Sequence, residues 1–183
     1  MRSHRYAYLE MTAPSLTLRR YEESDSEQVW TVHERALRAS PLEFIEDAPD
    51  DDLADITGHY LDSGGEFLVG LADGDIVATG GFQPEEDGET DEYDTAEILR
   101  MRVHPDYQRR GYGEQVLEEL ERRAGERGFD TLVLYTNEKL TAARNLYEKH
   151  DYEETYRETI QTDDTFIHYR KRLDSRGRNA GEN

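Results

Sequence analysis

Gln108-Arg109-Arg110-Gly111-Tyr112-Gly113 lies between an extended apolar segment that ends near Val103 and an amphipathic stretch that begins near Gly113. A strand that runs into a glycine-containing turn and then a helix builds an anion site. The first turn of a helix leaves backbone N–H groups without partners, and the helix dipole adds partial positive charge at the same spot. Glycine lets backbone and ligand approach closely. Arg109 and Arg110 put two cations beside a phosphate-sized hole, in a chain whose formal net charge is -20.

The flanks support that reading. Ala96-Glu97-Ile98-Leu99-Arg100-Met101-Arg102-Val103 alternates as a half-buried strand does. His104-Pro105-Asp106 stops it, because proline has no donor for the ladder. Downstream, Val116, Leu117, Leu120 and Ala124 recur at helical spacing, and the helix is expected to end around Gly128. Thr131-Leu132-Val133-Leu134-Tyr135 then reads as a second strand. Together they form a βαβ unit with its ligand loop at the C-terminal end of the first strand.

Val103-His104-Pro105-Asp106-Tyr107 and the Gln-Arg-Arg-Gly-Tyr-Gly that follows resemble the acetyl-CoA pyrophosphate loop of the GCN5-related N-acetyltransferase (GNAT) superfamily, Q/R-x-x-G-x-G/A. Ala143-Arg144-Asn145-Leu146-Tyr147-Glu148-Lys149-His150-Asp151-Tyr152 is similar to that family's A-x-x-L-Y-E-K-x-G-F segment. The resemblance runs from about Leu16 to Leu173. Two positions depart from it. The family's glycine before the aromatic is Asp151, which tolerates a left-handed cap better than most residues. Leu140 stands where the family often has asparagine, while Asn137 closes the preceding strand after Tyr135-Thr136.

The resemblance implies a fold, a reaction and a set of roles. The fold is an α/β (α+β) one, with a mixed, mostly antiparallel central sheet flanked by helices and splayed at the cofactor-binding strands. The reaction moves an acetyl group from acetyl-CoA, a cosubstrate, to a primary amine. Gln108, Arg109, Arg110, Gly111, Tyr112 and Gly113 would hold the pyrophosphate. Met101, Arg102 and Val103 would pair with the pantetheine arm as with an added strand. A backbone N–H of Met101 or Arg102 would polarise the thioester carbonyl. Tyr147 would be the general acid for the departing thiolate, and Asn137 and Asn145 would contact the cofactor. Glu97, at a position where family members often carry a carboxylate, is the expected base. His104 and His168 are weaker candidates for that role. A non-catalytic acyl-CoA-binding or sensing module is the alternative.

A length of 183 residues suits one domain. The expected division is a mobile arm over 1–14, the acetyltransferase domain over 15–173 and a polar tail over 174–183. Cysteine is absent, which excludes a disulfide framework and a cysteine acyl-enzyme. A direct ternary reaction is therefore favoured. No segment reaches membrane-spanning length, and Met1-Arg2-Ser3-His4-Arg5 is not followed by an apolar run, so a cytoplasmic protein is expected. The charge disfavours nucleic acid, whose phosphates require a basic face. No metal is expected, because no His/Asp/Glu group has ligand spacing along the sequence. Exposed strand edges in such a fold allow a homodimer.

Of the 22 basic residues only Lys139, Lys149 and Lys171 are lysine. Excess surface carboxylate with scarce lysine reads as adaptation to a high-salt cytoplasm, where ions screen self-repulsion. Elsewhere the sequence predicts a strand over Leu16–Arg20 and a helix capped at Ser24 or Asp25. A second helix is expected over Asp51–Leu61, and strands over Glu66–Leu71 and Asp75–Phe82 joined at Ala72-Asp73-Gly74. An acidic loop is expected over 84–93, a helix over Thr141–His150, and closing strands over Glu153–Ile160 and Thr165–Lys171.

Overall fold

Asp73 and Gly74 both adopt positive φ, 54° and 90°. That pair makes the two-residue turn whose twist matches flanking strands, and it joins two neighbouring strands of a seven-stranded sheet. The computed structural model describes residues 15–42, 50–85, 94–160 and 162–173. The elements are β1 (Thr17–Arg20), α1 (Ser26–Arg38), α2 (Asp51–Ala54), β2 (Glu66–Ala72), β3 (Asp75–Pro84), β4 (Thr95–Val103), α3 (Tyr112–Glu126), β5 (Thr131–Asn137), α4 (Thr141–Lys149), β6 (Glu153–Thr159) and β7 (Thr165–Arg172). Their order is the expected one. The acidic loop over 86–93, the arm over 1–14 and the tail over 174–183 lie outside the described residues.

The sheet runs β1-β2-β3-β4-β5-β7-β6. Only β4 and β5 are parallel neighbours; the rest pair antiparallel. Each face carries its own apolar layer. On one, Val116, Leu117, Leu120 and Ala124 of α3 are fully buried against Leu68, Ala78 and Leu132. On the other, Val29 and Val32 of α1 pack with Phe67, Val69 and Ile76. β6 is exposed along its whole length and, Tyr156 apart, carries charged and threonine side chains, which suit an edge strand.

Two irregularities shape the middle of the sheet. Between β3 and β4 the register passes from Gly81↔Leu99 to Thr79↔Arg102, so β4 carries one extra residue. Arg100 sits in that bulge with φ 56°. β4 then pairs with β5 only over Thr95–Glu97 against Thr131–Val133. From Ile98 onward the two strands have separated.

One expectation is corrected. The stretch predicted as one helix over Asp51–Leu61 is a single turn of α2 followed by a wide five-residue turn at Thr57–Leu61. Asp55 leaves helical geometry at φ -139° and spends its carboxylate on the Gly58 amide at 2.9 Å, which breaks the run. At the start of α1, Asp25 holds the N-cap position, as expected, and ends a short 3₁₀ turn over Glu23–Asp25. Its carboxylate accepts from Glu22 N and from both Nη atoms of Arg19, so it closes a capping box and an ion pair together.

Candidate active site

The turn from β4 into α3 builds a donor cradle. Pro105–Tyr107 forms one 3₁₀ turn, closed by Tyr107 N on His104 O at 2.9 Å. Gln108 Nε2 donates back to Val103 O at 3.1 Å and locks the loop onto the strand. Arg109 and Gly111 then take left-handed φ values of 60° and 78°. Among the described residues, the amides of Arg109, Arg110, Gly111 and Gly113 have no acceptor. They stand at the N-terminus of a 15-residue helix whose dipole adds to their field.

The loop opens into a cleft of about 480 Å³, lined by Gln108, Arg109, Gly111, Tyr112 and Gly113 on one side. Its walls are the separated part of β4 (Met101, Arg102, Val103), the end of α1 and the start of α4. The β5-facing edge of β4 has no strand beside it after Glu97. An amide-bearing chain can therefore pair there as an added strand. The phosphate-sized cradle, the free strand edge and the long cleft fit a pyrophosphate, a pantetheine arm and a thioester in that order.

A second cavity, of about 260 Å³, runs along β4 from Glu97 to Arg102 and is closed by Tyr135, Thr136 and Tyr147. The two cavities share Met101, Arg102, Leu140, Ala143 and Tyr147. Tyr147 is buried on α4 at this junction, its ring packed against Tyr152 and Tyr169. Burial pushes its phenol up to about 12, and the charge of Arg102 pulls the other way. Glu97 is half-buried, and burial followed by the charge of Glu85 raises its carboxyl, against a lowering contribution from Gln83.

Beside this cavity lies a polar network that the sequence did not reveal. Arg100 donates Nε to Asp52 at 2.8 Å and Nη1 to Asp50 at 2.7 Å, with a further bond from Nη2 to Asp52. Tyr60 Oη donates to Asp52 at 2.6 Å, and His33 Nε2 lies 3.1 Å from Asp50. Burial opposes ionisation of Asp52, but the bonds from Arg100 and Tyr60 hold its carboxyl below the ordinary value. His33 is lowered first by burial and then by Arg102, so it is neutral at neutral pH. The network fastens the bulge of β4 to α1 and α2. Its partners are about 50 residues apart in sequence, so no local pattern announces it.

Several sequence-derived site residues stand elsewhere. The Arg110 guanidinium lies 4.9 Å from the ring centroid of Tyr107, a cleft-lining residue, and donates to Asp106 O; Arg110 itself does not line the cleft. Asn137 is buried, but its side chain bonds Asp164 and the Lys139 amide and lines neither cavity. Asn145 is exposed on α4 and lines neither. His104 accepts the Asp106 amide within the loop, and His168 stacks between Tyr156 and Tyr135 on β7. Glu114, Glu118 and His150 bring potential ligand atoms within 4.8 Å of one another, a grouping hidden from sequence spacing because it spans two helices. Glu114 is already bonded by Lys149 at 2.6 Å and by His150 at 3.0 Å.

An anion-binding loop at a helix N-terminus, a splayed parallel strand pair and a buried tyrosine where two cavities meet together suit an acyl-CoA thioester. The family model for "Acetyltransferase (GNAT) family" matches residues 27–152. The chain belongs to that family and is an N-acetyltransferase. Solved structures agree in fold. A GNAT-family acetyltransferase from Staphylococcus aureus Mu50 matches at TM-score 0.73 and 20% identity, over 87% of this chain and 100% of its own. The ribosomal-protein-S18-alanine N-acetyltransferase of Escherichia coli matches at TM-score 0.68 and 21% identity, over 92% and 100%. A putative acetyltransferase of Salmonella typhimurium, yncA, solved with its cofactor acetyl-CoA, matches at TM-score 0.72 and 18% identity, over 92% and 98%. None of the curated proteins matches.

Proposed function

We propose that the protein transfers acetyl from acetyl-CoA to a primary amine by direct attack while both are bound. The observation that carries this reading is the junction of the two cavities at Met101, Arg102 and Tyr147. One cavity begins at the phosphate-binding loop and the other contains Glu97, so thioester and amine meet beside Tyr147. Gln108 to Gly113 hold the pyrophosphate, with Arg109 rather than Arg110 supplying the nearby charge. Met101 and Val103 pair with the pantetheine amides along the free edge of β4. The Met101 or Arg102 amide donates to the carbonyl oxygen as it gains charge.

The neutral amine forms the new N–C bond, and the C–S bond breaks. The amine's proton passes to Glu97, through water where needed, and the departing sulfur takes the Tyr147 proton. The raised Glu97 carboxyl is a better proton acceptor than an ordinary glutamate, which suits this role. A non-catalytic acyl-CoA sensor would leave the placement of Tyr147 at the junction without a use. The test is thiol release from acetyl-CoA over a panel of amines, with wild type and Tyr147→Phe. Amine-dependent release that falls in the variant supports the assignment. Equal release by both proteins removes Tyr147 from the reaction.

A further inference from the structure

Arg102 differs from most arginines packed into the fold; Arg144 also leaves Nε unpaired, but has Glu148 at 3.9 Å. Arg19, Arg20, Arg100, Arg123 and Arg127 each hold a carboxylate within 3.1 Å. Arg102 has no carboxylate partner among the described residues, in a chain with 42 acidic residues. Its Nη1 donates to Met101 O at 2.9 Å, and its buried Nε has no hydrogen-bond partner among the described residues. The charges around it compensate only through space: Asp50 and Asp52 outnumber Arg100 by one and Asp50 acts on Arg102, but neither carboxylate bonds it, His33 is held neutral, and the Tyr147 phenol keeps its proton. A guanidinium does not shed its proton, so a buried one whose Nε lacks a partner gains direct bonds when an anion comes to meet it.

The position of Arg102 says what kind of anion. Phosphate has its own cradle at Arg109 to Gly113. Met101 and Val103 pack toward the layer under α3, whereas Leu99 packs toward the α1 layer and Arg102 acts on His33 of α1. Arg102 thus faces the acceptor side, where the cavity runs from it along β4 to Glu97. It is also one of the residues at the junction itself. An anion held there borders the space where the two cavities meet.

We propose that Arg102 receives the carboxylate of an α-amino acid acceptor, holding it beside the amine that attacks. The acceptor's side chain then extends along β4 toward Glu97 and Tyr135. This deepens the acetyltransferase reading and rests on it. Arg102 is a specificity residue here, and a planar fork facing a carboxylate gives two parallel bonds that an amide cannot accept equally.

The test is thiol release from acetyl-CoA by the full chain with L-α-amino acids, their primary amides and ω-amino acids, in wild type, Arg102→Gln and Arg102→Lys. Wild type is expected to favour α-amino acids over the matching amides by at least about tenfold in kcat/KM, expressed in KM. The amides carry less basic amines, so such a preference cannot come from amine availability. The ratio should fall to within about twofold of unity in Arg102→Gln and recover partly in Arg102→Lys. A wild-type ratio near unity, ω-amino acids equal to α, or an equal loss on acids and amides in Arg102→Gln overturns the proposal alone. Absence of thiol release with every acceptor overturns the acetyltransferase reading along with it.

Discussion

Tyr147 presents a phenol at the meeting point of two cavities, with burial holding it protonated. As the acid for a thiolate it should be worth about a hundredfold, so Tyr147→Phe should lower kcat by that factor and leave acetyl-CoA affinity near wild type. Steady-state thiol release with calorimetric binding checks both halves. Glu97 must be deprotonated to accept a proton. Its carboxyl is raised, so kcat/KM should climb with pH through a value above the ordinary 4.5 of glutamate. Glu97→Gln should remove that limb in a pH–rate profile. No falling limb from Tyr147 is expected until near pH 12. Tyr147 and the loop glycines were legible in sequence because they sit within contiguous motifs. The placements of Asn137, Asn145 and Arg110 were not, because a polar side chain's partner is set across elements: Asp164 lies 27 residues from Asn137. The isolation of Arg102 was hidden for the same reason, since lack of a partner leaves no mark along the chain.

At the scale of elements, the loop–helix unit is held by backbone geometry more than by contacts. A Cβ built on Gly111 meets nothing within 4 Å, yet its φ is 78°. Gly111→Ala should therefore cost about 1–2 kcal/mol through strain alone and weaken acetyl-CoA binding, readable by thermal unfolding and calorimetry. Glu66 ties the start of β2 to its neighbours. It is 1% exposed and bonded by Arg20, Arg123 and Arg127. Burial pushes its carboxyl up, and the bonds from Arg20 and Arg123 with the charge of Arg127 more than offset that, so the folded value lies below 4.5. The resulting stability is present above pH 4.5 and is lost as pH falls through the depressed value. Glu66→Gln should destabilise by about 1–3 kcal/mol at neutral pH and show a smaller loss on acidification. Urea unfolding at pH 7 and pH 4 measures both. The strands and the longer helices were readable because strand alternation and helical spacing are local. The second predicted helix failed because Asp55 and Gly58 compete with it through a side-chain bond that apolar spacing does not weigh.

At the scale of the whole molecule, a charge of -20 on 183 residues repels itself. Arginine–carboxylate pairing inside the sheet relieves only part of this. Adaptation to concentrated salt predicts that the melting temperature rises steeply between low salt and molar KCl, as screening lowers the repulsion. A melting temperature that is flat or falling over that range would remove the halophilic reading. Among the described residues no helix is long and apolar enough to cross a membrane. The sheet order is what joins the two cavities. β4 and β5 are the parallel pair, and their separation after Glu97 opens the cleft beside the loop that β4 feeds. The loop and its flanking βαβ unit announced that cleft in sequence. The bulge at Arg100, braced by Asp50 and Asp52, did not. The most direct test is calorimetric titration of acetyl-CoA into the folded protein in concentrated KCl, beside Arg109→Ala. The account predicts saturable one-to-one binding, weakened in the variant. Absence of binding in salt that keeps the protein folded would contradict it and leave the glycine loop as a structural turn.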